Sequence, residues 1–171
     1  DFSAKKIIFC EGYQCVHNPY FNWLPFKLTK GELLDVEFKN FKFNNAINKS
    51  VFMLPYEKGY KLGATYEWDD IDENITEKGK ANLLERAHKS IKDEIIVLKH
   101  RAGVRPTVVD RRPLIGVHPA HNQLAVFNGM GTKGVMIAPY FANKMTGFLL
   151  EDEPLLSEVN IERFKEEAYY P

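Results

Sequence analysis

The chain has 171 residues with 23 Lys plus Arg against 23 Asp plus Glu, a balance that argues against a general nucleic-acid binder or a membrane-surface protein, both of which usually carry a basic excess. With 44% hydrophobic and 27% charged residues it is globular in composition rather than disordered, and no apolar run approaches a membrane span. Its two cysteines, Cys10 and Cys15, are too few for a disulfide scaffold and share no metal-ligand spacing with the five histidines, so reduced thiols, no metal and a cytoplasmic location are expected.

The chain opens "DFSAKKIIFCEG", without an initiator Met or a signal-peptide pattern, and reads as a domain or fragment of a longer polypeptide. Residues 5–10 predict a buried strand that ends at the turn-prone Glu11-Gly12. An aromatic-rich connection with Pro19, Pro25 and Gly31 follows. Strands are predicted at 33–39, 47–54 and 60–66, with Asn44-Asn45 turning a hairpin between the first two and Lys58-Gly59 turning the next. Short strands with tight connections imply an antiparallel sheet. Beyond the acidic stretch "DDIDEN", a helix is predicted near 76–92, capped by Asn74 or Thr76, with Leu84, Ala87 or His88, and Ile91 on its apolar face. A strand at 94–101 enters the motif "GVRPTVVDRRPLIG". Then come a strand at 123–128, the turn "GMGTKG" and an apolar helix at about 132–150 with Pro139 inside it. The tail "SEVNIERFKEEAYYP" predicts a short helix or an extended arm. This order of elements is α+β.

Two constellations can carry chemistry. Gly129, Gly131 and Gly134 let backbone approach a ligand closely, and the following helix start offers unpaired N–H groups that favour negative charge, with Lys133 beside them. The spacing is not that of a phosphate P-loop, and a plain glycine turn before a helix remains the competing reading. Arg105, between Gly103 and Pro106, sits on stiffened backbone and carries a planar fork suited to a carboxylate. The competing reading is that Arg105, Arg111 and Arg112 are all solvated and pair loosely with Asp110. A third set, Phe52, Tyr56, Tyr60, Tyr66 and Trp68, puts some rings on a shared sheet face and others into a core.

Over nearly its whole length the chain resembles the C-terminal half of the FAD-dependent amine and D-amino-acid oxidoreductases, the group of D-amino acid oxidase, glycine oxidase and sarcosine oxidase. "KKIIFCEGYQ", "KGELL", "VFMLPYEKGYKLGATYEW", "AGVRPTVVDRRPLIGVHP" and "LAVFNGMGTKGVMIAPYFA" occur in that family's order. The resemblance implies residues 1–30 as the last part of a flavin-domain strand and connection, 31–100 as a substrate-binding domain of antiparallel or mixed sheet with flanking helices, and 101–171 as the return to the flavin domain with its glycine loop and C-terminal helix. It implies that Arg105 clamps the substrate carboxylate, that Phe52 and Tyr66 line the substrate site, and that Gly12, Gly129, Met130, Gly131, Thr132, Lys133 and Gly134 face non-covalent FAD. Several D-amino acid oxidases carry a Tyr where this chain has Phe52, so a hydroxyl partner for the substrate carboxylate is either missing or supplied by Tyr56, Tyr60 or Tyr66. No Cys lies near residues 100–110 to tether a flavin. The Gly-rich fingerprint for the ADP half of FAD is absent from the 171 residues, so the expected partner is an N-terminal FAD-binding half, with room for a homo-oligomer, and the fragment alone is expected to be inert. The implied reaction is oxidation of the C–N bond of a small amino acid or secondary amine. Against it stand a non-catalytic ligand-binding or oligomerisation module that kept the fold, and the same flavin chemistry on a modified tRNA base.

Overall fold

A computed structural model describes residues 3–166. In chain order the elements are β1 (Ile7–Phe9), β2 (Thr29–Phe38), β3 (Ile47–Asn48), β4 (Phe52–Tyr56), β5 (Gly59–Gly63), α1 (Glu77–His88), β6 (Ile95–Arg105), β7 (Leu114–Val117), β8 (Leu124–Asn128) and α2 (Gly134–Leu150). They divide into two compact units: unit 1 comprises Asp1–Leu28 and Arg105–Pro171, and unit 2 comprises Thr29–Val104. The last five residues of the predicted tail arm lie outside the described residues; within it, Ile161–Phe164 form a short 3-10 helix. Among the described residues no helix is long and apolar enough to cross a membrane.

Unit 2 is a five-stranded sheet in the order β3-β4-β5-β2-β6 with α1 packed on it. Strand alternation puts Leu34, Val36 and Phe38 of β2 on the buried face, where they meet Met53, Leu62, Leu83 and Ala87. Two expectations fail here. The predicted 47–54 strand is split by the turn at Lys49–Val51, and β2 pairs with β5, not with β3. No Asn44-Asn45 hairpin forms. The cause is aromatic: Phe43 packs onto Phe38 and Tyr60, the exposed Phe41 meets Phe38 edge-on, and the Asp93 carboxylate accepts from the backbone N–H groups of Asn40 and Phe41. The next hairpin does form, with Glu57 at positive φ in the turn. Thr76 is the cap of α1, its hydroxyl accepting from Gly79 N–H at 2.9 Å, an arrangement worth about 1 kcal/mol. His88 is exposed and Leu83 takes the core position on that face.

Unit 1 carries a three-stranded mixed sheet, β1-β8-β7, with β1 parallel and β7 antiparallel to β8. The 103–116 motif conceals two pieces of strand. β6 runs on through Gly103 to Arg105, and β7 begins immediately after Pro113, where the lost N–H costs nothing to the ladder. Between them Asp110 pairs with Arg163 at 3.0 Å rather than with the neighbouring arginine side chains. Arg111 and Arg112 are exposed. α2 starts at Gly134 rather than 132, because Gly131 at φ +54 opens a 3-10 turn that ends at Lys133.

Candidate functional site

In unit 1, β8 ends at Asn128 and the chain passes through Gly129 at φ +72 and Gly131 at φ +54 before α2 begins. Positive φ admits glycine with least strain. A side chain at Gly129 would press on Val108 and on the backbone of Leu114, and one at Gly131 would press on Thr107. The loop therefore lies against the strip that continues from Arg105. That strip is itself fixed: Lys27 N–H donates to the Thr107 carbonyl at 2.7 Å, the Thr107 hydroxyl donates back to Lys27, and Phe26 bridges Val108. Arg105, half-buried at the end of β6, and the Gly129–Gly131 loop are thus brought into one region of unit 1.

Gly12 joins them through a residue that sequence reasoning passed over. Buried Asn128 donates from Nδ2 to the Gly12 carbonyl at 2.8 Å and accepts from Gly129 N–H at 2.8 Å through Oδ1. One amide locks both glycine turns. Gly12 is at φ +59, and a Cβ there would meet open space, so its surroundings leave room for a ligand. Cys15 lies beneath, its thiol pushed up to about 11 by burial and then by Glu11, which makes it a packed thiol and not a nucleophile. Cys10 is exposed.

The start of α2 has no side-chain cap, and Thr132 and Lys133 are exposed while Met130 is half-buried. Uncapped N–H groups at a helix start attract negative charge. Lys133 is thus on the surface.

In unit 2, Phe52 and Gly63 are directly paired across β4 and β5. A Cβ on Gly63 would strike the Phe52 ring, and Leu33 lies beside it, so the ring lies over Gly63 on the face opposite to α1. Of the candidate hydroxyls, Tyr60 is spent: it accepts from Phe43 N–H and its ring stacks on Phe43 at 4.2 Å. Tyr56 lies under the Lys61 ammonium at 3.9 Å. Tyr66 is the most exposed of the three and stacks with Trp68. The site residues are therefore divided, with Arg105 and the glycine turns in unit 1 and Phe52 and Tyr66 in unit 2.

The glycine cradle and the uncapped helix start fit the redox ring of a flavin, which gains negative charge on reduction. The family model described as FAD dependent oxidoreductase matches residues 2–147. The tRNA 5-methylaminomethyl-2-thiouridine biosynthesis bifunctional protein of Caulobacter vibrioides is 28% identical over 105 residues, 58% of this chain and 17% of that protein. Among solved structures, iminodiacetate oxidase from Chelativorans sp. BNC1 matches 95% of this chain with a TM-score of 0.79 and 23% identity. Glycine oxidase from Geobacillus kaustophilus matches 90% with a TM-score of 0.76 and 22% identity. The chain spans 46% and 43% of those two structures, so it corresponds to under half of each. With a family match running across both units, the chain belongs to the FAD dependent oxidoreductases.

Proposed function

We propose that the polypeptide carrying this chain oxidises the C–N bond of a small amino acid or secondary amine, using non-covalent FAD whose ADP half is held by a separate N-terminal half. The observation that carries the reading is the Asn128 lock, which presents two glycine turns and an uncapped helix start in the same unit as Arg105. FAD, when bound, supplies the acceptor for the hydride equivalent that leaves the substrate α-carbon.

The chain's own residues bind and orient. Arg105 takes the substrate carboxylate through its planar fork and so fixes which C–H bond is presented. Backbone N–H groups of Gly129–Gly134 and the helix start supply a preorganised field for charge that develops on reduction. Lys133 adds a screened positive charge from the surface. Phe52, in unit 2, offers an apolar ring where several D-amino acid oxidases carry a tyrosine hydroxyl.

Arg105→Lys in the complete enzyme tests this. It should cost about 1.5–3 kcal/mol in kcat/KM for amines that carry a carboxylate, the scale of a hydrogen bond to a charged group. Decarboxylated analogues should change little. An equal loss on both substrate classes would remove Arg105 from the clamp. A second reading, oxidation of an aminomethyl group on a modified tRNA base, is favoured by the name of the Caulobacter relative. Turnover of a modified tRNA but of no free amino acid would select it. Absence of flavin from the complete, purified polypeptide would instead favour a non-catalytic module.

A further inference from the structure

Thr107 stands two residues beyond Arg105 and lies against the glycine loop, all within unit 1. Its N–H donates to the Arg105 carbonyl at 2.8 Å, closing a three-residue turn about Pro106. The proline ring fixes the central φ of that turn, so the Arg105 backbone follows the placement of Thr107. Lys27 sets that placement. Its N–H donates to the Thr107 carbonyl at 2.7 Å, and the Thr107 hydroxyl donates to the Lys27 carbonyl. Two residues further on, Val109 N–H donates to the Pro25 carbonyl at 3.1 Å and extends the same seam.

The other branch of the same side chain faces the loop. A Cβ added to Gly131 would lie 3.1 Å from Thr107 Cγ2. Gly131, at φ +54, opens the 3-10 turn that leads into α2. Threonine carries its hydroxyl and its methyl on one Cβ, and that branching restricts χ1. With the hydroxyl bonded to Lys27, the direction of the methyl toward Gly131 is set. Serine would keep the first contact and valine the second. Neither keeps both.

Oxidation at a substrate carbon needs that carbon and the acceptor at a fixed separation, and a misplacement of about 1 Å costs on the order of 10²-fold in rate. A residue that sets the separation has to touch both the carboxylate clamp and the glycine cradle, and Thr107 touches both. We infer that Thr107 is a positioning residue that fixes the register of Arg105 against the Gly129–Gly134 loop, its hydroxyl acting on the clamp and its methyl on the cradle. The proposal rests on the reading of Arg105 as the clamp and of the loop as the flavin-facing cradle. A threonine that merely stabilised unit 1 would loosen both sides whichever branch was removed. A two-sided joint divides the effects.

Thr107→Val and Thr107→Ser in the complete polypeptide separate the two branches. Thr146→Val, which removes an exposed hydroxyl bonded to Ala142 within α2, is the control. Hydrogen exchange followed by mass spectrometry reads the backbone without any turnover. In Thr107→Val, exchange across residues 25–28 should rise about fivefold while residues 129–134 stay unchanged, and in Thr107→Ser the pattern should reverse. Sarcosine, a secondary amine with a carboxylate, compared with dimethylamine reads the clamp. Thr107→Val should raise KM for sarcosine about fivefold, the scale of one lost neutral hydrogen bond, with dimethylamine nearly unchanged. Thr107→Ser should lower kcat on both amines alike and leave KM for sarcosine in place. Thr146→Val should change none of these. Exchange that rises over both segments in both variants, or over neither, overturns the two-sided joint. Divided exchange with equal losses on sarcosine and dimethylamine in Thr107→Val overturns the action on the clamp, while Arg105→Lys, tested separately above, decides the clamp itself.

Discussion

The glycine loop of unit 1 and the charged segment of unit 2 at residues 65–76 are fixed by opposite physical means. In unit 1 the fixing element is backbone: positive-φ glycines pressed against a neighbouring strip and tied by one neutral amide. In unit 2 it is side-chain charge, with Lys30 and Glu32 buried on carboxylate, hydroxyl and backbone partners. A backbone cradle presents N–H groups and tolerates no added atom. A charge-anchored segment presents side chains, tolerates substitution at its tip and depends on ionisation. The two regions should therefore fail under different insults.

The largest expected effect belongs to the backbone cradle. Gly129→Ala places a Cβ 2.8 Å from Val108 Cγ2 and 3.0 Å from the Leu114 nitrogen, at φ +72. Overpacking against backbone adds to the left-handed penalty, and the loss in unit 1 should be about 3 kcal/mol. Gly12→Ala meets open space at φ +59, so only the conformational penalty of about 1 kcal/mol applies. Urea denaturation of the two variants measures the difference. Equal losses would mean that close approach to the 107–114 strip is not what constrains the loop. Asn128→Ala should fall between them, at about 2 kcal/mol, because it leaves the Gly12 carbonyl and the Gly129 N–H without their partner.

Asn128 also shows where reading the sequence stops. "LAVFNGMG" announces a strand and a glycine turn, and both are present. Nothing local marks the Asn as the link to Gly12, because its partner lies 116 residues away. Lys30 and Glu32 fail for the same reason. They fall at the end of the aromatic-rich connection, before the strand expected at 33–39, and their burial follows from Asp72 and Thr76, over 40 residues on. By contrast Thr76 and the β4–β5 turn are legible, since a cap and a tight turn are settled within four residues. Arg105 lies between these cases. Its stiff flanks can be read locally, whereas the contact of its strip with the glycine loop is a tertiary fact.

The smallest expected effect is the most selective, and it concerns acid. Among the described residues, unit 1 has one buried histidine, His118. The ring packs edge-on to Phe21, Tyr20 and Trp23, with His121 at 4.9 Å, and Nδ1 accepts from Ala120 N–H at 3.1 Å. Burial, and then the neighbouring His121, lower its pKa from 6.5, with a hydrogen bond to the Tyr20 backbone opposing them. The folded state thus resists a proton that the unfolded chain accepts near pH 6.5. His118 contributes fully above that value, and the contribution is lost as pH falls from there toward its depressed folded pKa. In unit 2 the corresponding group is Asp72, held below 3.8 chiefly by Lys30. Its contribution is full above about pH 3.8 and is lost only as pH falls from there toward the lowered folded pKa. In the window below about pH 6.5, then, unit 1 should soften through His118 while the Asp72 pair of unit 2 keeps its contribution. Trp23 reports the first and Trp68 the second, each read alone after replacing the other with Phe. Urea midpoints that fall together would show that the units share one acid response. In His118→Gln the Trp23 midpoint should lose its pH dependence across this window, since the neutral amide has no proton to gain.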